Sequence, residues 1–74
     1  MTKKQYTEEE RMEIINQHVD RLVFAKYRLK AMGEKPTGKT EGEAWERRHE
    51  MYEAEVRRWL RKIERQAELI ALEY

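Results

Sequence analysis

Cysteine is absent from this chain of 74 residues, which excludes disulfides, thiolate metal sites and cysteine nucleophiles. Proline occurs once and glycine three times, and all four fall between Gly33 and Gly42. The rest of the chain is free of the two strongest helix breakers. Aromatic residues make up only 9%, and no apolar run approaches the ~18 residues of a membrane span. Net charge is +1, so the chain as a whole carries no polybasic signature for nucleic acid or membrane. Met1-Thr2-Lys3-Lys4-Gln5-Tyr6 leads into acidic residues without an apolar leader, so a cytoplasmic protein with no membrane partner is expected.

Charge is abundant instead. Charged residues account for 42% of the chain, a composition that resembles disorder until the apolar residues are placed along it. Met12, Ile15, Val19, Leu22 and Leu29 recur at three- and four-residue steps or multiples of them, the rhythm of a coiled-coil seam. Trp45, His49, Tyr52, Val56, Trp59, Leu60, Ile63, Ala67, Ile70 and Tyr74 form a longer stripe of the same kind. The fold expected is all-α, an antiparallel two-helix hairpin in one domain over 1–74. Helix 1 is expected at about 7–32, a turn at 33–40 and helix 2 at about 41–73.

The expected ends have physical causes. Thr7 and Glu10 have the spacing of a capping box, and Glu8, Glu9 and Glu10 suit the positive end of a helix dipole. Gly33 suits the left-handed position that ends a helix. Thr40 and Glu43 repeat the capping spacing for helix 2. The predicted helices span roughly 38 Å and 50 Å, so helix 2 should overhang helix 1 by about two turns unless residues 1–6 or a partner cover it. A turn centred near residue 36 would set Phe24 opposite His49 and His18 near Glu55.

Ile14, Val23, Ala25 and Tyr27 widen the helix 1 face beyond what one helix can cover. A homodimer closing into a four-helix bundle is therefore expected. Its seam and interface would be built from Ile15, Val19, Leu22, Leu29, Trp45, Tyr52, Val56, Trp59, Ile63 and Ile70. Lys26 falls near the middle of the apolar face, as a residue that sets register or reaches out along its stem.

Two chemical motifs are present and both read as something simpler. Gly33-Glu34-Lys35-Pro36-Thr37-Gly38-Lys39-Thr40 satisfies G-x-x-x-x-G-K-[ST]. A P-loop follows a strand, whereas a helix is expected here, so the segment reads as a turn with Lys35 and Lys39 as anion contacts at most. Glu46-x-x-His49 has the spacing found in di-iron bundles, but the opposing seam supplies no carboxylate. No catalytic residues, cofactor or metal are expected, and no enzyme activity.

The reading that remains is a protein-binding regulator, inhibitor or adaptor, of a size and style that suit a phage or mobile element. Phe24 and Met51 lie off the seams, as do Leu69 and Leu72. Arg47, Arg58, Arg61, Lys62 and Arg65 gather on one flank of helix 2, with most of its glutamates on the other. These apolar and basic groups are the candidate partner contacts. Nucleic acid is the competing class: a dimerising hairpin resembles, at the level of fold, the Rop-type plasmid regulators that bind paired RNA loops. That resemblance would make phosphate contacts of basic residues at the tip, including Arg28, Lys30, Lys35, Lys39, Arg47 and Arg48, or along helix 2.

Overall fold

The structure, a computed structural model, describes residues 6–74. Two helices, α1 (Glu8–Ala31) and α2 (Lys39–Glu73), run antiparallel and pack along one another. Together they make a rod of 58 × 21 × 14 Å. Among the described residues there is no strand, and no helix is long and apolar enough to cross a membrane.

The α1 ends follow the local chemistry of the sequence. Glu10 N–H donates to Thr7 Oγ1 at 3.1 Å, and Thr7 N–H donates to Glu10 Oε1 at 2.8 Å, closing the capping box. At the other end Met32 caps the helix and Gly33 turns the chain at φ 65°, a conformation that glycine adopts at no steric cost.

The start of α2 differs from expectation. Gly38 is the N-cap, and Thr40 lies inside the first turn rather than capping it. The carboxylate of Glu41, three residues after Gly38, folds back over Gly38 into the space a Cβ would fill. The helix α2 thus begins two residues earlier than expected.

That early start also changes how the overhang is covered. The connection 32–38 runs back beside the first turns of α2. Lys35 pairs with Glu46, the Pro36 carbonyl lies 3.2 Å from where a Cβ of Gly42 would sit, and Trp45 Nε1–H donates to the Met32 carbonyl at 3.4 Å. Gly42 is buried. The turn itself covers the extra length of α2, so the length mismatch creates no need for a partner at that end; residues 1–5 lie outside the described chain.

Running the connection beside α2 shifts the pairing of the helices. His18 packs against Trp59 rather than Glu55, with ring centroids 5.3 Å apart and the planes tilted by 39°. Phe24 lines a cleft with Glu55 and Trp59 rather than facing His49. His49 instead lies on Trp45 (centroids 4.6 Å apart) and pairs with Glu53 along its own helix.

Both seams keep strict three- and four-residue steps. In α1 the inward positions are Arg11, Ile15, His18, Leu22, Ala25, Leu29 and Met32, all buried or half-buried. In α2 they are Gly42, Trp45, His49, Tyr52, Val56, Trp59, Ile63, Gln66, Ile70 and Glu73. Expectation is thus off by one residue along one column of each helix. Met12, Val19 and Lys26 are exposed, and Arg11, His18 and Ala25 take their place. Leu60, Ala67 and Tyr74 are exposed, with Trp59, Gln66 and Glu73 inside. Val19, expected in the interface, is 37% exposed.

The physical cause lies at the open end of the hairpin. Arg11 is 6% exposed, and its guanidinium forks onto Glu73, with Nε–H to Oε2 at 2.9 Å and Nη2–H to Oε1 at 3.0 Å. Nη1–H donates to Gln66 Oε1 at 3.0 Å, and the Tyr6 ring covers the group at 5.4 Å. The hydrogen bond with Glu73 holds the Arg11 pKa above its ordinary value despite burial. Bidentate geometry of this kind satisfies a charge that would otherwise resist desolvation. The Tyr74 hydroxyl donates to the Tyr6 carbonyl just outside it. With Arg11 inward, the heptad step carries His18 and Ala25 inward too.

Candidate binding cleft

An antiparallel pair of helices has two flanks, one on each side of the seam. One flank carries Met12 and Val19 from α1 and Leu60 and Ala67 from α2. The other carries the residues that make the principal cleft. That cleft, of about 400 Å³, is lined by Arg21, Phe24, Ala25 and Arg28 of α1 and by Glu55, Arg58 and Trp59 of α2. Ala25, 1% exposed, is its floor. An alanine at the seam opposite a tryptophan leaves a depression, because a small side chain cannot fill the space between two helices 8–10 Å apart.

Two further clefts continue it toward the open end. The first, about 290 Å³, shares Arg21 and Trp59 and adds Gln17, His18, Asp20 and Lys62. The second, about 350 Å³, shares His18 and Lys62 and adds Arg61, Arg65 and Gln66. They form a shallow groove from Glu55 to Gln66 on α2, about 16 Å long at 1.5 Å per residue.

The groove is cationic around an aromatic floor. Arg28 lies over Phe24 at 4.5 Å and near Tyr52 at 5.8 Å; Lys62 and Arg21 lie over Trp59 at 4.9 Å and 5.8 Å. Each such contact contributes roughly 0.5–1 kcal/mol at an exposed site and holds the cation in place. Among the described residues, Arg21, Arg28, Arg58 and Lys62 form no ion pair with a carboxylate. Burial, and then the charges of Lys62 and Arg21, hold the His18 imidazole below its ordinary pKa. That shift favours the neutral imidazole, whose ring lies tilted against Trp59.

Of the basic residues expected as partner contacts, Arg58, Arg61, Lys62 and Arg65 gather along this groove with Phe24. Arg47 does not; it lies on the outward face of α2, about 16 Å toward the tip from Arg58. Met51 is exposed, on the same outer column of α2 as Arg58 but two turns nearer the tip. Leu72 is exposed in that column at the open end, whereas Leu69 is half-buried. At the tip, Lys35 is already paired with Glu46, while Lys39 is exposed in the first turn of α2.

Sequence reasoning missed Arg21, and it placed Arg28 with the tip rather than beside Phe24. The available signal was their seven-residue spacing, which puts both on the same flank of α1 once the seam is known. Among the described residues no cluster of three or more metal-binding side chains occurs. No protein-family model, curated protein or solved structure matches this chain.

Proposed function

We propose that this chain is a non-enzymatic, protein-binding regulator, inhibitor or adaptor that engages an acidic surface through the cation-lined groove. The supporting observation is a set of three cations, Arg21, Arg28 and Lys62, held on aromatic rings beside the exposed Phe24, with Arg58 lining the same cleft; among the described residues none of the four is ion-paired. Cations in this state have already given up part of their conformational freedom, so pairing with a partner costs less. A protein suits the groove better than a continuous phosphate backbone. Glu55 lies in the cleft and Asp20 beside it, and a protein can set basic groups there where a nucleic acid cannot. The pairing of Lys35 with Glu46 likewise weighs against a basic tip reading RNA.

The opposite flank supports self-association in the same reading. Met12, Val19 and Leu60 are 47%, 37% and 39% exposed and form an apolar strip with Ala67. Pairing of two copies along this strip would make the four-helix bundle and leave the groove open on each outer side. Sedimentation equilibrium at micromolar concentration should give twice the chain mass, and Val19→Glu should return it to that of one chain. A single-chain mass for the parent protein would remove this pairing.

Partner binding is tested by tagged capture from host lysate with and without nuclease, comparing the parent with Arg58→Glu/Lys62→Glu. One stoichiometric protein retained after nuclease and lost in the charge-reversed variant, with helical circular dichroism unchanged, is the expected result. Recovery that collapses with nuclease would replace this reading with nucleic-acid binding. Capture indifferent to the charge reversal would move the contact off the groove.

A further inference from the structure

Resting on the protein-binding reading above, we infer that the occupant of the groove is a single acidic amphipathic α-helix, laid along Ala25 and Trp59 to complete a three-helix bundle. The inference comes from the order of chemistry across the groove. Its floor is apolar and aromatic, with Ala25 at 1% exposure, the face of Trp59 and the neutral His18. Its rims are predominantly cationic, with Arg21 and Arg28 from α1 and Arg58, Lys62 and Arg65 from α2 outnumbering Asp20 and Glu55. An amphipathic helix presents the complement, an apolar ridge with acidic edges, and hairpin seams accept a third helix in the same way they accept each other.

Dimensions agree. The groove's length of about 16 Å corresponds to about eleven residues, or three helical turns. Arg58, Lys62 and Arg65 stand at three- and four-residue steps, so carboxylates at the same steps on a facing helix would meet them in register. Arg21 and Arg28, seven residues apart, would serve the other edge of that helix. The groove also disfavours the alternatives. Helices offer no unpaired backbone edge for strand addition. Electrostatic complementarity of this kind sets partner choice and encounter rate, so binding should weaken steeply with salt.

The probe is a synthetic peptide of about 14 residues with leucines at i, i+3, i+7 and i+10 and glutamates flanking them, a length that covers the groove with a half turn to spare at each end. Its control replaces every glutamate by glutamine. Both are titrated into the full ¹⁵N-labelled chain and followed by amide and indole chemical shifts. The expected result is shifts centred on Ala25, Trp59 and the groove arginines, a gain of peptide helicity, and binding at least about tenfold weaker for the glutamine peptide. Arg58→Glu/Lys62→Glu should lose the shifts while keeping its own helical signal.

Three results would overturn the inference: no groove shifts at millimolar peptide, shifts confined to the Val19–Leu60 flank, or displacement of the peptide by an equally charged single-stranded RNA that binds more tightly. Failure here is separable from failure of the protein-binding reading. A silent peptide, with lysate capture still dependent on Arg58 and Lys62, leaves an acidic protein partner that is not a lone helix. A silent peptide together with charge-independent capture removes both.

Discussion

Replacing Trp59 by alanine should remove most of the folding stability. Trp59 is the largest side chain at the seam centre, where it packs against the tilted His18 ring and walls the cleft over Ala25. Truncating a packed tryptophan costs about 3 kcal/mol, and a core of this size supplies only about 3–5 kcal/mol in all. The reason for so thin a margin is visible in the burial pattern: Ala25 is the only buried apolar side chain among the described residues, and no large side chain is fully buried. Urea titration followed by circular dichroism should show the midpoint falling by more than half. Trp59→Phe, which keeps a ring against His18, should lose much less. An unchanged midpoint for the alanine variant would mean that the seam closes without Trp59, and that the ring belongs to the groove surface alone.

Gly42→Leu should detach the connection from α2. A Cβ at residue 42 would sit 3.2 Å from the Pro36 carbonyl and 3.2 Å from Lys35 Cε, so the backbone and the Lys35 stem pass directly over this glycine. Glycine inside a helix costs roughly 1 kcal/mol relative to alanine, and here that cost is offset by the close approach of the turn. Alanine would need a shift of only a few tenths of an ångström, and its better helix propensity opposes the strain, so Gly42→Ala should stay within about 1 kcal/mol of the parent. Leucine has no space at all. Overpacking of about 2 kcal/mol is expected, lowering Tm by about 10 °C for a domain of this size. The Lys35–Glu46 pair should break with it. A leucine variant that melts with the parent would show that the connection does not lie against α2.

Much of the hairpin was legible from local chemistry. The Thr7–Glu10 box needs only residues three apart, and the Gly33 stop needs only a residue that tolerates positive φ. The start of α2 was less legible: the Thr40–Glu43 spacing suggested a cap, whereas the helix begins after Gly38 with no side-chain cap hydrogen bond. The site was legible in part: Arg58, Arg61, Lys62 and Arg65 announce a basic flank by their spacing along one helix. Arg21 and Arg28 join them only when α1 is laid against α2 in its actual register, which the returning connection sets.

What the sequence by itself determined is the number of helices, where α1 starts and stops, and the heptad step of each seam. Those depend on interactions reaching no further than about one helical turn. Only the tertiary structure decided which of two neighbouring columns faces inward. Hydrophobicity alone favours Met12, Val19 and Ala67 over Arg11, His18 and Gln66. Arg11 nevertheless lies inside because Glu73 and Gln66, 62 and 55 residues away, satisfy its guanidinium. The cost of burying a polar group is set by the partner that meets it, and a partner so distant in sequence leaves no trace in the local pattern.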